Sequence, residues 1–428
     1  MIIKDKKFYL YFFSLAIPMM LQNVVVLGVN LMDNLMLGGY SELSISAAAV
    51  ANQIQFALQM LTMGICEGVV VLSSQYWGQK RLGEMKSIIG IGMKLQVVLG
   101  ILTFLLVAFF PYQLASLLTD DAATIEECVK YLQIMKYTYP LFCMMNMLVS
   151  SMRIVESIKI GFAINITALV VNVIFNYILI FGHFGAPRLG IVGAAIATLL
   201  SRIVEFAIAA VYVLKVDKKL QLKIREFFRM DFSYLKDYLR VGMPVLLANF
   251  VWAVANGAQV AILGRLGAQT LAANSIASTL FNLVYVASGA VGSVSGIIIG
   301  KTVGEGDFDR VKNYARSLQL VYLGVGVFSS ACLYLVKLAI LQFYNIAPDT
   351  YALTNTFLNI LCITIIGSCY QVPCLTGIVR GGGDTKFVLI NDTIHQWLIV
   401  LPAAFIAAFV LELPPAIVFV CLKSDQIL

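Results

Sequence analysis

Twelve apolar stretches follow one another along the chain, at 9–37, 44–76, 87–111, 126–151, 159–181, 190–214, 238–264, 270–300, 313–337, 350–378, 386–410 and 415–428, with short polar loops between them. A helix needs roughly 20 apolar residues to cross the hydrocarbon core of a bilayer. Such runs use up nearly all of the 428 residues and leave no room for a sizeable soluble domain. With 60% hydrophobic and 12% charged residues, the composition agrees. The expected fold is therefore all-α and integral to the membrane, with twelve transmembrane helices. The first stretch follows Lys4, Lys6 and Lys7 and has no small-residue cleavage site after a short apolar core, so it reads as a retained span. Lys423 and Asp425 interrupt the short last stretch, so the end of the twelfth helix is expected to be missing from the chain.

Basic residues accumulate on the cytoplasmic side of membrane proteins. With the N-terminus cytoplasmic, 23 of the 30 Lys and Arg residues fall on inner segments, eight of them between Lys215 and Arg240. Outer loops carry Asp120, Asp121, Glu126 and Glu127 instead. The net charge of +7 thus reports topology, and no soluble basic face is left for nucleic acid. The eight cysteines form no CxxC pair and lie mostly within apolar runs, as small buried hydrophobes do. His183 and His395 cannot make a metal site by themselves, and no nucleophile motif appears, so an enzyme is not expected.

An internal repeat organises the chain. AIPMMLQN opens a span that ends LMLGG, and GMPVLLAN opens one that ends AILGR. Pro18 matches Pro244, Gly38 matches Gly264, Gly78 matches Gly304 and Lys86 matches Lys312, all at an offset of 226. Arg153 and Lys159 match Arg380 and Lys386 at 227. Two pseudo-symmetric six-helix bundles are expected, at 1–214 and 238–428, joined by a basic cytoplasmic linker at 215–237. Six is even, so the repeats are parallel, the architecture of alternating access around a central path. Pro18 and Pro244, in the first helix of each half, are candidate hinges or tolerated kinks.

Asp33 lies near the end of the first apolar run. An unpaired carboxylate in the membrane costs on the order of 3 kcal/mol, so such residues usually face a cavity and mark an ion path. Position alone also leaves the wet outer interface open. Along the helices, Asp33 stands five residues before Gly38, Asn172 and Asn176 ten and six before Gly182, and Thr198 eight after Gly190. At about 1.5 Å per residue these oxygens share the outer half of the first bundle. Together they make a candidate site for Na+, and the carboxylate alone could take a proton.

The ordered motifs MDNLMLGG, LSSQYWGQ and GIVGAAIAT after the loop GHFGAPRL, set in twelve spans and two repeats, resemble the multidrug and toxic compound extrusion (MATE) family over about residues 8 to 420. The resemblance implies a secondary antiporter that exports organic, often cationic compounds against H+ or Na+. It also implies a functional acid at Asp33 with polar partners at Asn172, Asn176 and Thr198. Two departures leave the coupling ion open: Asn176 stands where a second acid is often found, and Trp252 where one sodium-coupled branch has a glutamate.

Gln22, Gln53, Glu67, Tyr139, Trp252 and Tyr285 are candidate cavity residues, the aromatic ones as faces for cations. Arg202 and Glu205, three apart, can pair along one helix. The expected partners are small organic molecules and the lipid bilayer, with no cofactor, a monomeric state and a cell-membrane location. The rival readings are a lipid-linked precursor flippase of the same superfamily, for which basic groups in the cavity are few, and a membrane-embedded enzyme or receptor.

Overall fold

The computed structural model describes residues 3–228, 233–341 and 347–426, so residues 229–232 of the expected linker and 427–428 of the last expected span lie outside the described residues. Among the described residues ten helices are long and apolar enough to cross a membrane. In chain order the helices are α1 Lys6–Gly38, α2 Glu42–Gly78, α3 Leu82–Phe109, α4 Pro111–Ser116, α5 Ala122–Met135, α6 Thr138–Ile154, α7 Ile158–Phe181 and α8 Ile191–Val211. There follow α9 Ile224–Phe228, α10 Leu235–Arg265, α11 Ala268–Glu305, α12 Phe308–Ile340, α13 Pro348–Val372, α14 Thr385–Thr393, α15 Leu401–Phe405 and α16 Pro415–Leu422. Among the described residues, counting α5 with α6 and joining α14 to α15 through π-helical turns gives eleven long helical segments, and the eight-residue α16 stands at the place of the twelfth expected span.

The fourth expected span, 126–151, departs from a single helix. It breaks at Lys136 and Tyr137 into α5 and α6. Pro140 has no N–H to offer the carbonyl of Lys136, and the Thr138 hydroxyl caps the Met135 carbonyl at 2.6 Å. Gly100 of α3 packs so closely here that a Cβ would lie 2.7 Å from the Pro140 Cα. The break is thereby held by a neighbouring helix.

The chain divides into two compact units, Leu21–Met243 and Met1–Met20 with Pro244–Leu428. The expected division at the linker follows covalent order, whereas the units follow packing, and the chain passes from one to the other inside α1 and inside α10. In the second unit the start of α1 packs on α12: Phe8 stacks on Tyr314 with ring centroids 4.5 Å apart, and the Ile3 N–H donates to Ser317 Oγ at 2.9 Å. In the first unit the start of α10 packs on α2, where Tyr238 donates to the Ile65 carbonyl at 3.3 Å and Gly68 meets Gly242. Phe12 and Tyr238, 226 residues apart, are buried aromatics at matching places of these two helix starts.

The core of the first unit gathers Leu37, Ala47, Cys128, Tyr131, Ile180, Ala194 and their neighbours from α1, α2, α5, α7 and α8. That of the second centres on Phe357 and Phe419, stacked at 4.0 Å, with Leu361, Ile365 and Ala404 around them.

Candidate cation site

The site lies within the first unit, where α1, α7 and α8 meet. The buried residues of α7 include Gly161, Asn165, Ala168, Asn172, Asn176 and Ile180, a stripe at helical spacing, so Asn172 and Asn176 face inward one turn apart. On α8 the buried stripe is Ala194, Thr198, Ser201 and Glu205. Two contacts hold the helices together. The Ser201 hydroxyl donates to the Ala168 carbonyl at 2.9 Å, and Gly193 lies so close to α7 that a Cβ would be 2.5 Å from the Leu179 oxygen.

The turn between the two helices depends on glycine. Gly182 ends α7 at φ +77°, and Gly190 precedes α8 at φ +55°, both in the region that disfavours side chains. Tyr40, just beyond α1, lies against Gly190, where a Cβ would come within 2.6 Å of its ring, and the Arg188 guanidinium sits 4.9 Å above that ring. Leu37 is buried in the same core as Ile180 and Ile191. Asp33, one turn before Leu37, is thus turned toward α7.

A continuous hydrogen-bonded chain results. Asn176 Nδ2 donates to Asp33 Oδ1 at 2.5 Å and to Asn172 Oδ1 at 3.1 Å, and Asn172 Nδ2 reaches Thr198 Oγ1 at 3.4 Å. Asn172 and Asn176 are fully buried, at 0% exposure, and Asp33 is half-buried. A hydrogen bond to a charged group contributes about 1.5–3 kcal/mol, the same order as the cost of keeping a carboxylate in the membrane. Arg202, four residues beyond Thr198, attracts Asp33 through space, but its short contact is with Glu205, at 2.6 Å. Among the described residues, no basic group lies within ion-pair distance of Asp33.

The four residues expected to form the cation site therefore come together. Tyr131 was missed: its phenol, buried in the core, reaches Thr198 from α5. Its place in an amphipathic helix that ends at Met135 was the available signal.

The six candidate cavity residues scatter. Gln22 is buried against Gly161, and Gln53 is exposed on α2. Glu67 is half-buried on the same helix, 14 residues or about 21 Å further on. Tyr139 is a correction: at 1% exposure it is packed into the first unit's core and presents no face to a ligand. Trp252, 46% exposed, and Tyr285, stacked on Phe281, belong to the second unit. The hinge candidates lie inside helices, Pro18 in α1 and Pro244 in α10, near the points where the chain changes unit.

The repeat is not chemically symmetric at the site. Gln259 stands 226 residues after Asp33 and donates to Gln396 Oε1 at 3.0 Å, an uncharged pair where the first unit has its carboxylate. Asp392, one turn before Gln396 on the eleventh pass, was also overlooked among the intramembrane acids.

Membrane-crossing helices built as two parallel repeats are an architecture of secondary transporters. The chain belongs to the MatE family, whose model matches it twice, over residues 18–178 and 244–406. Multidrug resistance protein MdtK of Pectobacterium atrosepticum is 24% identical over 397 residues, which cover 92% of this chain and 86% of that protein. Probable multidrug resistance protein NorM of Oceanobacillus iheyensis is 26% identical over 413 residues, 94% of this chain and 90% of that one. Among solved structures, a mutant of the Vibrio cholerae MATE transporter VcmN superposes with a TM-score of 0.88 at 18% identity, covering 97% of this chain and 93% of that chain. A MOP superfamily transporter from Pyrococcus furiosus superposes at 0.87 with 17% identity, covering 97% and 92%. These structures carry the fold to this chain, and the family match makes it a MATE-family secondary transporter.

Proposed function

We propose that the protein is an antiporter of the cell membrane, N-terminus cytoplasmic, that exports small organic compounds in exchange for H+ or Na+ bound at Asp33. The observation that carries this is the hydrogen-bonded chain from Asp33 through Asn176 and Asn172 to Thr198. The names of the multidrug-resistance relatives support the substrate class.

Asn176 directs its amide hydrogens to Asp33 and Asn172 and keeps its own Oδ1 buried without a partner. That arrangement suits an ionised, unloaded carboxylate. Leaving a buried acceptor unpaired costs about 1–3 kcal/mol. Half a turn of the amide would aim Oδ1 at Asp33, where it could accept the O–H of a protonated carboxyl or join the carboxylate, Asn172 and Thr198 oxygens around Na+. Loading the site therefore rewires the contact between α1 and α7. An ion drives transport only if it binds the two access states unequally, and a site shared between helices meets that requirement once the helices move. Pro18 and Pro244 are the proposed hinges: each removes from its helix the N–H that would bond the carbonyl four residues back.

The test is efflux of a fluorescent organic cation from proteoliposomes, first under an imposed proton gradient and then under a sodium gradient. Efflux driven by one gradient identifies the coupling ion. Equal flux with neither gradient would overturn antiport.

A further inference from the structure

A second feature of the first unit lies outside the cation site. A groove of about 670 Å³ runs between α3, α6 and α8 and is bounded at one end by the linker. Its walls include Val98, Met144 and Phe206, with Phe227 of α9 and Leu235 at the start of α10. Lys94 is the only charged residue among the described residues that line it.

The linker is fixed over this end. Lys86 Nζ donates to the Gln221 carbonyl at 2.7 Å and pairs with Glu226 at 3.3 Å. Leu220 and Leu222 are buried, and the bare backbone of Gly90 lets Glu226 approach, so that a Cβ there would lie 3.3 Å from the Glu226 oxygen. Phe227 is thereby held beside the groove. Each lining residue from the linker region has a cation close in sequence: Lys215 follows Leu214, Arg225 precedes Phe227 by two, and Lys236 follows Leu235.

We propose that this groove binds one acyl chain of an anionic phospholipid, with the head group drawn by Lys94, Lys215, Arg225 and Lys236. The volume falls within the range of ligand pockets, and the apolar walls match a hydrocarbon tail. Lys94 lies eight residues along α3 from the linker-bound Lys86, about 12 Å deeper. Side chains on a helix lean toward its N-terminus, here the linker end, the direction in which a lysine stem can carry its ammonium toward the head-group level. Lys94 on the wall, with the exposed Lys215, Arg225 and Lys236 one or two residues from lining positions, favours negative phosphate over zwitterionic heads. The linker would then rest partly on lipid, independently of the ion coupled at Asp33.

The experiment is native mass spectrometry of the whole protein released from nanodiscs of equal phosphatidylglycerol and phosphatidylethanolamine. Wild type should keep one phosphatidylglycerol in severalfold excess over phosphatidylethanolamine. Ala210→Trp, which fills the groove, should lose it, and Val98→Trp decides the matter if that variant does not fold. Lys94→Gln should bring the two lipids to equal retention, and Lys94→Arg should restore the preference. No retained lipid in wild type, undiminished retention in the folded tryptophan variants, or an unchanged preference in Lys94→Gln would each overturn the proposal.

Discussion

Replacing Gly193 by alanine tests how the candidate cation site is assembled, because the new methyl falls on backbone and not on a side chain that could turn aside. Its Cβ would lie 2.5 Å from the Leu179 oxygen, 2.6 Å from the Leu179 carbonyl carbon and 3.0 Å from the Ile180 nitrogen. Ordinary contact begins at 3.4 Å, so α7 and α8 must part by about 1 Å at this point. Overpacking of this kind costs about 1–3 kcal/mol, and the rigid neighbours place this case at the upper end. Thr198 follows five residues later, and its contact with Asn172 already stands at 3.4 Å. A few tenths of an ångström more takes it beyond hydrogen-bond distance. Gly193→Ala should therefore lower both the melting temperature of the purified protein and its gradient-driven transport. Gly324→Ala, on α12 with nothing within 4 Å, is the control: it should be neutral or stabilising by up to about 1 kcal/mol. A Gly193→Ala protein that melts and transports like wild type would refute the close packing of α7 on α8 as the device that sets the site.

Phe419→Ala removes one ring of the stacked Phe357 pair at the centre of the second unit, where both side chains are buried; a loss of about 3–5 kcal/mol is expected, read by thermal or denaturant unfolding. Asp121 caps α5 by accepting from the Thr124 N–H at 3.0 Å and from its hydroxyl, and these bonds hold its carboxyl below the ordinary value of 3.8. A lowered folded value means that the cap is at full strength above that ordinary value and is lost as pH falls through the lowered one. The protection of the Thr124 amide, relative to its intrinsic exchange rate at each pH, should be lost as pH falls below the ordinary carboxylate value, and in Asp121→Ala it should be absent at neutral pH as well.

That Asp33, Asn172, Asn176 and Thr198 share one level was legible because a helix converts sequence distance into depth, counted from Gly38, Gly182 and Gly190. Their facing one another needed more than depth. It came from the α7 stripe and from Tyr40 and Leu37, which set the rotation of α1. The repeat was equally open to reading, since Pro18 and Pro244 begin the two family matches. The break between α5 and α6 was only half open to reading: Pro140 stands in the sequence, but the contact of Gly100 on Pro140 that holds the break joins residues far apart. Tyr131 was missed with it, since its direction depends on where α5 ends. Tyr139 was misplaced for a related reason. An aromatic in an apolar run can face lipid, a path or the core, and only its neighbours, Cys128 and Cys143 among them, decide. The change of unit inside α1 and α10 left no mark in hydropathy, which records what surrounds a helix and not which helices do so.

The central claim is that ionisation of Asp33 couples the gradient to export. Asp33→Asn keeps the size of the side chain and its place beside Asn176 but holds it neutral at every pH. Efflux of a fluorescent cation from proteoliposomes containing equal amounts of inserted wild type and variant, under the gradient that drives the wild type, is the direct measurement. The account predicts that the variant folds and inserts, retains substrate binding and loses gradient-driven efflux. Efflux equal to wild type would contradict it and leave Asp33 a polar residue at the edge of the membrane.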